Sequence, residues 1–70
     1  MPLTMMQIGE TQKIIQITGK ETVKKFLISL GFVEGGDITV VSEIGGNVIV
    51  NIKDTRIAIG KGMARKIMVG

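Results

Sequence analysis

Cysteine, histidine, tryptophan and tyrosine are all missing from this chain, and proline occurs once. Without cysteine there is neither a disulfide nor a thiolate metal site. Without histidine the commonest metal ligand is gone, and with it the usual general base near neutral pH. Phe26 and Phe32 are the whole aromatic content. Both are expected in the core, which would leave a single-strand nucleic-acid binder no stacking platform. No apolar run approaches the roughly 18 to 20 residues that a bilayer-spanning helix needs. The opening Met1-Pro-Leu-Thr-Met-Met-Gln lacks the basic region, apolar stretch and cleavage site of a signal peptide. A cytoplasmic location is the simplest expectation.

What is present is aliphatic. Twelve isoleucines and seven valines fill 70 residues, and such β-branched side chains suit the half-buried face of a pleated strand. One domain, residues 1–70, is expected. A chain of about 60 residues buries only roughly 60% of its unfolded surface, so the core is small. The net charge is +3 and the pI near 9.6. The basic residues (13, 20, 24, 25, 53, 56, 61, 65, 66) are spread along the chain and form no run. A solvated surface accounts for them; the alternative is a basic patch facing an acidic partner, a membrane surface or nucleic acid.

The spacing predicts one helix, Lys20 to Leu30. Val23, Phe26, Leu27 and Leu30 fall at i, i+3, i+4 and i+7 and share a face. Thr18 and Glu21 have capping-box spacing. Gly31 stands where a left-handed residue ends a helix, with Phe32 able to fold back onto Leu27. Around this helix the chain reads as short strands. Residues 1–9 are a lead-in with Leu3, Met5 and Ile8 as anchors. Gln12–Ile17 is a strand with Ile15 and Ile17 on one face and Ile14 on the other. Asp37–Glu43 follows a glycine turn, and Ile44-Gly-Gly-Asn47 is a hairpin connector. Val48, Val50 and Ile52 share a face of the third strand, Arg56–Gly60 is the fourth, and Ile67–Val69 the last, after a turn or a single helical turn at 60–66. The fold class expected is mainly β with one short helix, an SH3-like small antiparallel barrel of about five strands, which pairs most of its edges.

Chemistry-bearing motifs are weak. Gly60-Lys61-Gly62-Met63 lacks both the first glycine and the hydroxyl of a phosphate-binding loop, and turn formation explains it better. Glu34 and Asp37 flank Gly35-Gly36 and are the nearest approach to a hard cation site, yet a ferrous or magnesium ion normally needs several ligands in one pocket. Ser29 and Ser42 have no histidine to activate them. No enzyme activity, catalytic residue, metal ligand or cofactor is expected. Ile28 lies off the buried stripe of the helix beside Lys24 and Lys25, as an exposed apolar spot on a docking face would.

In order and spacing the chain resembles the ferrous iron transport protein A (FeoA) family over almost its whole length. The match rests on Gly9, Ile17-Thr-Gly19, Leu27-x-x-Leu30-Gly-Phe32 and Gly35 before the second strand. Val48–Ile52, Ile57-Ala-Ile59, Ala64 and Ile67-x-Val69 complete it. Glu34 stands where the family often has proline, and Gly46-Asn47 where it often has Gly-Pro. The resemblance implies an SH3-like barrel acting as a small cytoplasmic accessory of ferrous iron uptake. Its implied partner is the membrane ferrous iron transporter that carries a cytoplasmic GTPase domain. Lys20, Lys24, Lys25 and Ile28 are the expected contact residues. Contact with a membrane is expected only through that partner, and no nucleic acid is expected. The alternative function is a basic SH3-like barrel binding nucleic acid. A third possibility is direct iron binding through Glu34 and Asp37.

Overall fold

In the computed structural model, which describes residues 1–70, the alternating β-branched runs become five antiparallel strands. They are β1 (Thr11–Ile17), β2 (Asp37–Ile44), β3 (Asn47–Ile52), β4 (Thr55–Gly60) and β5 (Ile67–Val69). A helix, α1 (Glu21–Ser29), lies between β1 and β2, and a single turn, α2 (Lys61–Ala64), between β4 and β5. The strands run side by side in the order β4-β3-β2-β1-β5. No ladder joins β4 to β5, so the sheet curls without hydrogen-bonded closure, and α2 connects the end of β4 to β5 along the chain. No helix is long and apolar enough to cross a membrane.

Every buried residue is apolar. Val48, Val50 and Ile52 point inward from β3 as their alternation predicts, and Ile38 and Val40 do the same from β2. Near the C-terminus Ala64 and Ile67 are buried, whereas Met63 and Met68 are half-buried.

Helix α1 ends as its sequence requires. Gly31 adopts φ +110°. Its N–H donates to the Ile28 carbonyl at 2.9 Å, and the Phe32 N–H reaches back to the Leu27 carbonyl at 3.1 Å. These are the two bonds of a Schellman stop, which satisfy carbonyls that the helix leaves unpaired. Phe32 and Leu27 are both fully buried.

The helix start differs from the expected capping box. Lys20 occupies the N-cap position and no side chain caps it. Thr18 instead donates its hydroxyl to the Lys66 carbonyl at 3.1 Å, and its N–H meets the same oxygen at 2.7 Å. A long-range tie from β1 to the approach of β5 has replaced the local cap.

Three further expectations are corrected. Ile14 and Ile17 are both buried and Ile15 is 54% exposed, so Ile17 shares its face with Ile14 and not, as expected, with Ile15. The register between β1 and β5 shifts between Ile14 and Gln16, and such a bulge turns two residues an odd number of positions apart to the same side. Phe26 is 49% exposed and not in the core, which leaves Leu27 as the one fully buried residue of α1. In the lead-in, Leu3 is buried as expected, but Met5 and Ile8 are exposed and Met6 takes the second anchoring place.

Candidate functional site

The end of the sheet where β1 and β3 finish carries α1 across it, with Gly31 set against the Ile52 side chain. Lys24 and Ile28 are four residues apart on α1 and so share one strip of its surface. The Schellman stop turns the chain sharply, bringing Val33 and Glu34 back beside that strip. Ile17, the last residue of β1, supplies the floor. Together Ile17, Lys24, Ile28, Val33 and Glu34 line a depression of about 410 Å³.

Its walls grade from buried to exposed. Ile17 is buried, Lys24 and Val33 are half-buried, and Ile28 (51% exposed) and Glu34 form the open side. Lys24 and Glu34 both border the depression without forming an ion pair; the two pairs in the molecule are Lys13–Asp37 at 2.8 Å and Lys61–Glu43 at 3.5 Å. Both are solvent-exposed, where such pairs contribute little. The ammonium of Lys24 therefore keeps its capacity for an external anion, and the carboxylate of Glu34 for an external cation.

Of the residues expected at a contact face, Lys24 and Ile28 are brought together here. Lys20 at the N-cap and Lys25 on the outer side of α1 are exposed but do not border the depression. Ile17, Val33 and Glu34 were not anticipated as part of it. Phe26, two positions before Ile28, stands about 160° away around the helix axis and so on the opposite flank. It is the one aromatic at the surface.

The Asp37 carboxylate is engaged by Lys13, and Glu34 faces the depression. No group of three acidic side chains gathers anywhere in the fold. Glu10 has a lowered pKa. It accepts the Gln7 N–H at 2.9 Å and the Gln12 side-chain amide at 2.8 Å, and these bonds hold it below the usual glutamate range. It belongs to the turn before β1, away from the depression. A second, wholly polar depression lies at the β3–β4 turn among Asn51, Lys53, Asp54 and Arg56. There Arg56 donates to Asn51 at 3.2 Å. Nothing lining either depression pairs a nucleophile with a base.

A curled five-stranded antiparallel sheet, an all-aliphatic interior and one helix across an end define a small SH3-like barrel. The chain belongs to the FeoA domain family, whose profile matches residues 1–70. A curated relative from Methanocaldococcus jannaschii, named "Putative Fe(2+) transport protein A", is 35% identical over 68 residues, covering 97% of this chain and 83% of that protein. The crystal structure of an iron uptake regulatory protein (FeoA) is 33% identical with a TM-score of 0.90, covering 99% of this chain and 92% of the other. The zinc complex of Stenotrophomonas maltophilia FeoA, described as a procaryotic SH3 domain protein, shares the fold with a TM-score of 0.87 at 21% identity. That likeness covers 100% of this chain and 89% of the other.

Proposed function

We propose that this chain, as one domain, is a small non-catalytic accessory of ferrous iron uptake in the cytoplasm. It docks on the cytoplasmic GTPase part of the membrane ferrous iron transporter, using α1 and the depression beside it. Membership of the FeoA family supports the transport setting, and a relative named for Fe(2+) transport supports it further. One observation carries the choice of face: the exposed Ile28 and the unpaired Lys24 sit over an aliphatic floor of Ile17 and Val33. An apolar spot with an uncommitted charge at its rim suits a partner that presents an aliphatic side chain next to a carboxylate. Lys20 and Lys25, on the same helix, extend the positive surround and favour an acidic partner surface.

The test is a pull-down with the transporter's cytoplasmic domain, comparing the parent chain with the Lys24→Glu, Ile28→Asp double variant. Both side chains project from the helix surface, so circular dichroism should show the fold intact. Binding should fall at least tenfold, the effect of about 1.4 kcal/mol. Unchanged binding by a folded double variant would place the contact elsewhere.

A further inference from the structure

The two edges of the sheet are treated differently. The outer edge of β5 is covered by the chain's own first residues: the Met1 nitrogen donates to the Val69 carbonyl at 2.8 Å, and the Val69 N–H donates to the Met1 carbonyl at 2.7 Å. Pro2 bridges Met68 beside them. The outer edge of β4 has no such cover. Its ladder with β3 runs from Ile52↔Thr55 to Asn47↔Gly60 without a bulge. Ile52 and Thr55 flank a two-residue turn and so form a hydrogen-bonded pair, after which bonded and non-bonded pairs alternate. The bond from the Lys61 N–H to the Gly46 carbonyl continues the same alternation at the far end. Arg56, Ala58 and Gly60 therefore aim their N–H and C=O groups away from β3. No turn, loop or side-chain hydrogen bond reaches the main-chain groups of Arg56 or Ala58, whereas the Gly60 carbonyl, at the N-cap of α2, accepts that helix's first bond. Arg56 and Ala58 are exposed.

An open six-residue edge with no proline and no bulge is a template for another strand. We propose that β4 pairs antiparallel with β4 of a second copy of this chain, about a two-fold axis at Ala58. That register is self-complementary, as a two-fold interface requires. Ala58 faces the second copy's Ala58 and exchanges two main-chain hydrogen bonds with it, and Arg56 faces its Gly60, whose N–H donates to the Arg56 carbonyl. Ile57 falls opposite the second copy's Ile59 and gains an aliphatic neighbour. A two-fold at Arg56 would instead oppose two guanidinium groups, which is unfavourable. The pairing uses a different part of the surface from the depression at α1, and its test needs this chain alone.

Sedimentation equilibrium from micromolar to millimolar protein, with amide hydrogen exchange by NMR, decides the matter. The mean mass should climb toward twice that of the chain. The Arg56, Ala58 and Gly60 amides should exchange freely when dilute and become protected as concentration rises. Ala58→Lys sets two ammonium groups on the axis and should hold the chain monomeric with its urea midpoint unchanged, because Ala58 is exposed. Ala58→Pro removes the central donor at an edge position where proline is tolerated, and should do the same. A monomeric mass throughout would overturn the proposal, as would a dimer that survives Ala58→Lys. So would protection of the three amides at every dilution. If those amides become protected only when the transporter's cytoplasmic domain is added, the edge serves a different strand and self-pairing is wrong.

Discussion

Replacing Gly31 by alanine should injure this fold more than the same change at Gly45, and the gap can be worked from two local facts. At Gly45 φ is +59° and nothing lies within 4 Å of an added Cβ. That angle is inside the narrow left-handed well, where a Cβ costs about 1–2 kcal/mol. Stiffening of the unfolded chain by alanine offsets about 0.4–1 kcal/mol of this. Gly45→Ala should therefore cost no more than about 1.6 kcal/mol. At Gly31 φ is +110°, and the added Cβ would stand 3.1 Å from the Ile52 δ-methyl carbon. The angle lies beyond that well, and forced overpacking typically adds about 1–3 kcal/mol, so about 2–4 kcal/mol is expected. A 70-residue domain at roughly 0.05–0.15 kcal/mol per residue can lose much of its margin this way.

Urea unfolding followed by circular dichroism measures both variants, provided the m-value stays constant. Ile52→Val separates strain from crowding, because it deletes the δ-methyl. Alone it should cost about 0.5–1.5 kcal/mol. With Gly31→Ala the sum should fall short of additive by at least about 0.5 kcal/mol, the size expected of residues in contact. If Gly31→Ala is no worse than Gly45→Ala, or if the double variant is additive, the account of the helix stop is wrong. The consequence reaches the depression, since this stop sets Val33 and Glu34 beside Ile28.

Two other expectations are simpler. Leu27→Ala should cost about 2–5 kcal/mol as a fully buried large-to-small change, while Phe26→Ala, at a half-exposed site, should cost clearly less in the same urea series; equal losses would contradict the observed facing of α1. Glu10 sets a pH dependence. Its folded pKa lies below the unfolded value because the Gln7 N–H and then the Gln12 amide favour the ionised form. Its contribution is therefore present above the ordinary glutamate pKa and is lost as pH falls through the depressed folded value. NMR titration should find Glu10 below the ordinary glutamate pKa, and Glu10→Gln should flatten stability across that acid window; a Glu10 titrating at the ordinary value would refute it.

What could be foreseen divides by range. The Gly31-Phe32 stop, the Gly45-Gly46 hairpin and the inward Val48, Val50 and Ile52 depend on neighbours within a few residues, so the sequence carries them. The facing of β1 does not. Ile14, Ile15 and Ile17 offer apolar residues to either side, and only pairing with β5 introduces the bulge that buries Ile14 together with Ile17. Thr18 shows the same limit, since its local capping role gives way to the carbonyl of Lys66, 48 residues along. Phe26 fits a helical stripe, but a nine-residue helix across the end of a barrel buries a narrower band than the stripe. Of the depression, Lys24 and Ile28 were legible because they share one helix. Ile17, Val33 and Glu34 arrive from two other segments, and no periodicity joins them.

The depression's dimensions bear on how such a docking face must work. One aliphatic side chain buried from water contributes about 1.5–3 kcal/mol. A millimolar complex already requires about 4 kcal/mol, so a single partner side chain seated against Ile28 and Val33, over an Ile17 that is already buried, does not hold the complex by itself. Charge has to add to it, and Lys24 is the side chain at the rim whose ammonium is unpaired. Attraction between exposed charges is screened over about 8 Å at physiological ionic strength. Docking through this face should consequently weaken as salt rises, and Lys24→Gln should reduce that salt dependence, Lys20 and Lys25 keeping the remainder, while leaving the apolar share. A complex indifferent to salt would have its energy in a larger apolar contact than this end of the barrel offers, and the face proposed for it would be wrong.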